Sequence, residues 1–200
     1  MSKNNQQSTS TSPSGVGGFK IVIIDYGAGN IQSIQFALER LGQKATLSSN
    51  WDEIETADKV IFPGVGEASS AMKKLKISGL DVLIPTLKQP VLGICLGMQL
   101  MCNSTEEGNT QGLGIFDVDI VKFSNKVKVP QMGWNTIFDL KSELFTNISE
   151  NEYMYLVHSF YAPKNSSIFV RQFSHFFRDE IARHKNCFYL MPMYKLFDSQ

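Results

Sequence analysis

From Lys20 to Tyr26 the chain reads K-I-V-I-I-D-Y, a short, β-branched and almost continuously apolar run that predicts a buried strand. Ile31, Ile34, Leu38 and Leu41 then recur at helical spacing, and Gly42 marks the end of that helix. Ala45 to Leu47 predicts a second strand, Asp52 to Thr56 a single helical turn, and Lys59 to Phe62 a third strand. Glu67 to Ile77 and Leu80 to Leu87 predict helical stretches broken near Ser78-Gly79. Val91 to Ile94 predicts a fourth strand, and Met98 to Cys102 is compatible with a short helix. Strands alternating with helices point to an α/β domain built on a doubly wound, mostly parallel sheet. The second half is more β-like, with strands predicted at Ile115 to Phe123, Gln131 to Phe138 and Tyr153 to His158, an additional antiparallel β portion.

Composition narrows the class. Met1 to Gly18 is rich in Ser, Asn, Gln, Thr and Gly with Lys3 as its only charge, which predicts a disordered extension before a single folded domain over 19–200. It has no apolar core of a secretory signal and no arginine to suggest a transit peptide. The formal net charge is zero, so no basic patch points to nucleic acid, and the apolar runs are strand-length, so none predicts a membrane span. The three cysteines, Cys95, Cys102 and Cys187, form neither a disulfide framework nor a CxxC metal spacing. A reducing, cytoplasmic setting is expected, with no metal or cofactor.

The chemistry concentrates where the fourth strand ends. Gly93-Ile94-Cys95-Leu96-Gly97 places a thiol at a sharp strand-to-helix turn with a glycine two residues to either side, the sequence form of a nucleophile elbow. Side chains at the flanking positions would collide in so tight a turn. A helix starting at Leu96 would aim free N–H groups at the sulfur, favouring thiolate and holding a developing oxyanion. The plainer reading of a cysteine in an apolar segment is a small buried hydrophobe, which suits Cys102. Pro63-Gly64-Val65-Gly66 also ends a strand, and its backbone suits an oxyanion hole as well as a plain turn. Gln99 and Glu107 follow Cys95 closely; an amide and a carboxylate there would recognise a polar, amino-bearing substrate, although each alone reads as surface. Gly27-Ala28-Gly29-Asn30 lacks the third glycine and the Lys-Ser/Thr of phosphate loops and reads better as a tight turn.

Taken together, Pro90 to Gln99 (P-V-L-G-I-C-L-G-M-Q) resembles the nucleophile segment of class I, triad-type glutamine amidotransferases. Within that class the likeness is to the glutaminase subunit of imidazole glycerol phosphate synthase. Supporting segments are Ile24 to Asn30, Phe62 to Gly66, Gln131 to Asn135 and Val157 to Phe160, in the family's order over about 19–162. The resemblance implies a flavodoxin-like fold and attack by Cys95 on the carboxamide of L-glutamine. It implies an oxyanion hole from backbone at Gly64, Val65, Gly66 and Leu96. It implies that Gln99 and Glu107 hold the amino-acid end of glutamine, with His158, Ser159 and Phe160 along its other side. Met132, Gly133, Trp134 and Asn135 would face a (β/α)8-barrel cyclase subunit in a heterodimer, through which ammonia passes. Close relatives that supply ammonia for sugar amination are an alternative.

The family's histidine base and orienting glutamate belong to a His-Pro-Glu motif some thirty-five residues after the His-Ser-aromatic segment. Aligning Phe188-Tyr189 with the strand before that motif puts Tyr194 and Leu196 at those two places. His158 has its own role in the pattern, His184 falls too early, and His175 sits in F-S-H-F-F-R-D-E, which has no family likeness. An altered C-terminus, or a non-catalytic, partner-binding paralogue, would each account for this. Either way the 200-residue chain is expected to hydrolyse glutamine poorly.

Overall fold

The computed structural model describes residues 19–125, 128–137 and 146–163, together with the backbone of 188–191. The predicted extension at 1–18, the segment holding His175, His184 and Cys187, and Tyr194 and Leu196 lie outside the described residues.

The first strand, β1, is Ile21–Ile24, buried throughout. Such a strand needs apolar cover on both faces, and the two-residue alternation of side chains divides its residues between them. Ile21 and Ile23 pack with Ile61 under Ile31, Ile34 and Leu38 of α1 (Ile31–Arg40). Val22 and Ile24 face the larger core. Asn30 caps α1 by accepting a hydrogen bond from the Ser33 N–H. Next come β2 (Ala45–Ser48), α2 (Trp51–Glu55) and β3 (Lys59–Phe62). Then follow α3 (Ala68–Ser78), ended by Gly79 at φ 72°, and α4 (Leu80–Leu83). The helix predicted to reach Leu87 passes instead into a 3-10 turn at Ile84–Thr86, where Pro85 supplies no N–H to continue α-helical bonding. β4 (Val91–Ile94) leads into α5 (Leu96–Met101).

These strands form a parallel sheet in the order β11-β4-β3-β1-β2, where β11 is Phe188–Met191. The chain steps outward from β1 to β2, then returns across β1 to β3, so the winding reverses beside β1. Ligands of doubly wound sheets bind at the carboxyl ends of strands flanking such a reversal. There the loops after β1, β3 and β4 lie side by side.

The second half departs from the prediction in one respect. Cys102 does not continue α5 but begins a further strand, β5 (Cys102–Thr105), which pairs with β6 (Thr110–Gln111) and with β7 (Phe116–Lys122). Short polar strands held by backbone pairing leave no alternating pattern, so neither β5 nor β6 was foreseen. β8 (Gln131–Thr136) and β9 (Tyr153–His158) make an antiparallel ribbon, and β10 (Phe160–Tyr161) pairs antiparallel with β7. Among the described residues no helix is long and apolar enough to cross a membrane.

Candidate active site

Cys95 is the residue between β4 and α5, and its backbone sits at φ 51°, ψ −108°. Every other non-glycine residue with positive φ among those described is an asparagine. Cysteine has no side-chain device for that region, so the conformation stores about 1–3 kcal/mol that the surroundings must hold in place. The flanking glycines show how. A Cβ on Gly93 would stand 2.5 Å from Met101 Sδ and 2.9 Å from Met98 Cα. A Cβ on Gly97 would stand 2.1 Å from the Phe62 carbonyl oxygen. Helix α5 thus folds back onto its own strand and against the end of β3, and the collision expected from the sequence is real. The sulfur is half-buried, and the Leu96 N–H donates to it.

The Pro63-Gly66 turn meets this elbow directly. A Cβ on Gly64 would lie 2.2 Å from the Gly97 nitrogen and 2.7 Å from the Leu96 carbonyl carbon, so the two turns are in backbone contact. Val65 at the tip is exposed. Tyr26, just after β1, reaches under the turn, and its buried hydroxyl donates to the Pro63 carbonyl at 2.8 Å. Its ring packs edge-on against Phe62, 5.5 Å between centroids.

Gln99 projects from α5 and is buried, not surface. Its amide donates to Thr105 Oγ1 and to Glu107 Oε2, each at 2.8 Å. The Glu107 N–H donates back to Thr105 Oγ1 at 3.1 Å, and the Glu107 carboxylate also accepts from the Ala68 N–H at the start of α3. Thr105 is the member of this cluster that sequence reasoning did not single out. The elbow and the glycine turn are thus in direct contact, Gln99 ties Glu107 to the helix that leaves the elbow, and the Glu107 charge acts on the Cys95 thiol.

The family model described as glutamine amidotransferase class-I matches residues 22–186. The chain belongs to the class-I glutamine amidotransferase family. The match runs past Ala162, where the motif-based resemblance ends. The chain is 50% identical over 178 residues to imidazole glycerol phosphate synthase subunit HisH of Bacteroides fragilis, covering 85% of this chain and 88% of that protein. It is 53% identical over 147 residues to the subunit of the same name from Bacteroides thetaiotaomicron, covering 72% and 75%. Against subunit HisH 2 of Methanococcus maripaludis the identity is 47% over 148 residues, covering 70% and 73%. Among solved structures, PurLQS from Thermotoga maritima superposes with a TM-score of 0.54 at 15% identity, covering 76% of this chain and 72% of that one. A structure described as a glutamine amidotransferase does so with 0.53 at 17%, covering 69% and 70%. These two likenesses bear on the fold, which is the flavodoxin-like one the sequence implied.

In this amidotransferase the protonation of Cys95 runs against the sequence expectation. Burial pushes the Cys95 thiol up to about 11; the Leu96 N–H pulls the other way and the Glu107 charge adds to the rise. The helix start at Leu96 favours thiolate, as foreseen, but the loss of water around the sulfur outweighs it. The neutral thiol dominates below that value, so an adjacent base is needed for attack near neutral pH. Burial also raises the Glu107 carboxyl, opposed by the Gln99 and Ala68 bonds. Cys102 fits the plain reading: fully buried, directed at the Met98 carbonyl and pushed up to about 12 by burial and then by Asp119.

The remaining predicted residues belong to β8 and to the β9–β10 segment. His158 ends β9 opposite Gln131, its Nδ1 lies 2.9 Å from the Phe160 carbonyl, and its ring packs on Phe123. That nitrogen is engaged by its own segment. Phe160 packs against the larger core. Met132 and Trp134 are exposed on one side of the β8–β9 ribbon, Gly133 between them has φ 155°, and Trp134 leans on Tyr155 at 5.5 Å. Asn135 Nδ2 donates to the Gly133 carbonyl.

Proposed function

We propose that this chain is the glutaminase subunit of an imidazole glycerol phosphate synthase. It would bind L-glutamine with Glu107 toward the α-ammonium and Gln99 beside it, while the backbone of His158, Ser159 and Phe160 lines the opposite side. Cys95 Sγ attacks the amide carbon; the S–C bond forms and the C–N bond breaks. The proton that the Cys95 thiol gives up leaves on the ammonia, and water then cleaves the γ-glutamyl thioester to glutamate and the free thiol. The negative oxygen formed on attack is held by N–H groups of Leu96 and of the Gly64-Val65-Gly66 turn. The observation that carries this reading is the strained Cys95 turn locked, glycine on glycine, against that second turn.

Ammonia would pass to a (β/α)8-barrel cyclase subunit that makes imidazole glycerol phosphate and AICAR, in a cytoplasmic heterodimer. The ribbon suits that contact: Met132, Trp134 and Tyr153 present apolar surface on one face of paired strands, with the aromatic anchors that dominate interface energetics. The base is the weak point. β11 runs parallel to β4 with Met191 opposite Ile94, so its carboxyl end emerges beside Cys95. Position 194, three residues on, is Tyr, and position 196 is Leu. We infer that this chain retains the substrate-binding half of the machinery without the proton-transfer half.

A chloromethyl-ketone analogue of glutamine tests the reading. At pH 9 it is expected to alkylate Cys95 in preference to Cys102 and Cys187, as read by peptide mass. L-glutamine should protect, and Glu107→Gln should weaken that protection at least about tenfold, since a half-buried charged partner is lost. Labelling without preference for Cys95, or without protection, would replace this reading with that of a partner-binding paralogue. That alternative is favoured by one observation, the raised thiol.

A further inference from the structure

We infer that Tyr26 is a positioning residue for the oxyanion pocket: its buried hydroxyl grips the Pro63 carbonyl and so sets where the turn's N–H groups stand relative to the Leu96 N–H. The inference rests on the reading of Cys95 as the nucleophile of a carbonyl substrate.

The two sets of proposed donors belong to different strand ends, one after β3 and one after β4. Their separation depends on how the Pro63-Gly64 peptide lies on the Leu96-Gly97 peptide. A peptide unit is planar, so fixing its carbonyl fixes its whole plane, including the N–H on the far side. Three contacts fix this one. The Tyr26 hydroxyl donates to the Pro63 oxygen at 2.8 Å. A Cβ on Gly97 would lie 3.0 Å from that same oxygen, so the first turn of α5 closes over it. A Cβ on Gly29 would stand 2.8 Å from Pro63 Cβ, so the loop after β1 closes the ring side. Only the tyrosine contact is a directional bond; the other two are packing. Beyond the gripped peptide the turn is free: Val65 is exposed and Gly66, at φ 104°, has open space around it. Of the proposed turn donors, the Gly64 N–H is therefore the one held from behind, and the Tyr26 hydroxyl supplies the directional bond that holds it.

Tyr26 is itself well fixed. It is buried, its ring meets Phe62, and the loop that follows it is tied down where Lys74 Nζ donates to the Gly27 carbonyl at 2.6 Å. Burial, and after it the charge of Cys95, hold the hydroxyl protonated well above its ordinary range, so it remains a donor.

The test compares two electrophiles on the full chain and on Tyr26→Phe, which keeps the ring and removes the donor. In the chloromethyl-ketone analogue of glutamine, sulfur adds to the carbonyl and places charge on an oxygen in the pocket; sulfur then bonds to the methylene carbon as chloride leaves, and the first C–S bond breaks as the carbonyl re-forms. Iodoacetamide alkylates by direct displacement of iodide and develops no such charge. Tyr26→Phe is expected to slow the ketone about tenfold or more, short of the full loss seen when an oxyanion donor is deleted. Iodoacetamide should stay within about twofold, and the glutamine concentration giving half-protection should not move. Unchanged ketone rates would overturn the inference. So would faster iodoacetamide labelling, which would show that the hydroxyl merely holds the fold closed. If the unaltered chain shows no ketone preference at Cys95 over a free thiol, the nucleophile reading itself fails, and the inference with it.

Discussion

Replacing Tyr194 with histidine and Leu196 with glutamate is expected to raise glutamine hydrolysis by about 10²–10⁴-fold, the usual contribution of a positioned general base. The register of β11 is the reason for choosing these positions, since Met191 at its carboxyl end pairs with Ile94, the residue before Cys95, and positions 194 and 196 follow closely in sequence. An imidazole there would act twice. It would take the thiol proton, and as imidazolium it would pull the Cys95 value down from about 11 toward neutrality. The glutamate would orient the ring. Ammonia release by the doubly substituted chain, with Cys95→Ser in the same background as the control, measures the effect. No gain in a chain that still binds glutamine would show that these are not the positions of the missing pair.

Gly97→Ala is expected to be among the most damaging single methyls. Its Cβ would meet the Phe62 oxygen at 2.1 Å and the Phe62 carbon at 2.9 Å, both backbone atoms that no rotamer change can move. Either α5 lifts from β3 or β3 distorts, and the loss is expected near the upper end of the overpacking range, about 3 kcal/mol. For a domain of this size that is a fall in Tm of roughly 6–12 °C. Cys95 alkylation by the ketone should fall as well, since the two turns no longer share a surface. Gly64→Ala probes the same contact from the other side, so the two losses should combine less than additively. Gly42→Ala is the comparison: φ is 69° but nothing lies within 4 Å, so only about 1–2 kcal/mol of backbone strain is expected. Equal melting temperatures for Gly97→Ala and the unaltered chain would refute the proposed locking of the turns.

What the sequence revealed and what it hid divide along physical lines. The elbow was legible because its demands are local: two glycines within two residues of Cys95, after an apolar strand, specify a sharp turn and little else. The parallel sheet was legible for the same reason, since β1, β3 and β4 are short β-branched runs separated by helical periods. β5 escaped because C-N-S-T carries no alternation; its place is set by backbone pairing with β7. The hydrogen bond from Tyr26 to Pro63 escaped because it spans 37 residues of sequence and exists only once β1 and β3 are neighbours. The reactivity of Cys95 was misjudged because a helix start can be seen in sequence and the burial of a sulfur cannot. Gln99 reads as surface until β5 brings Thr105 and Glu107 against it.

The pH dependence of glutamine hydrolysis by the unaltered 200-residue chain, with the proposed cyclase partner present, bears most directly on the central claim that Cys95 is a placed nucleophile without a base. A thiol with its value raised to about 11 is protonated at neutral pH, and its reactive fraction grows as pH rises. The account predicts slow ammonia release that climbs about tenfold per pH unit from 7 to 10, following thiolate alone. A rate that levels off near pH 7, at the turnover of about 1 s⁻¹ or more usual for enzymes, would reveal a working base and contradict it.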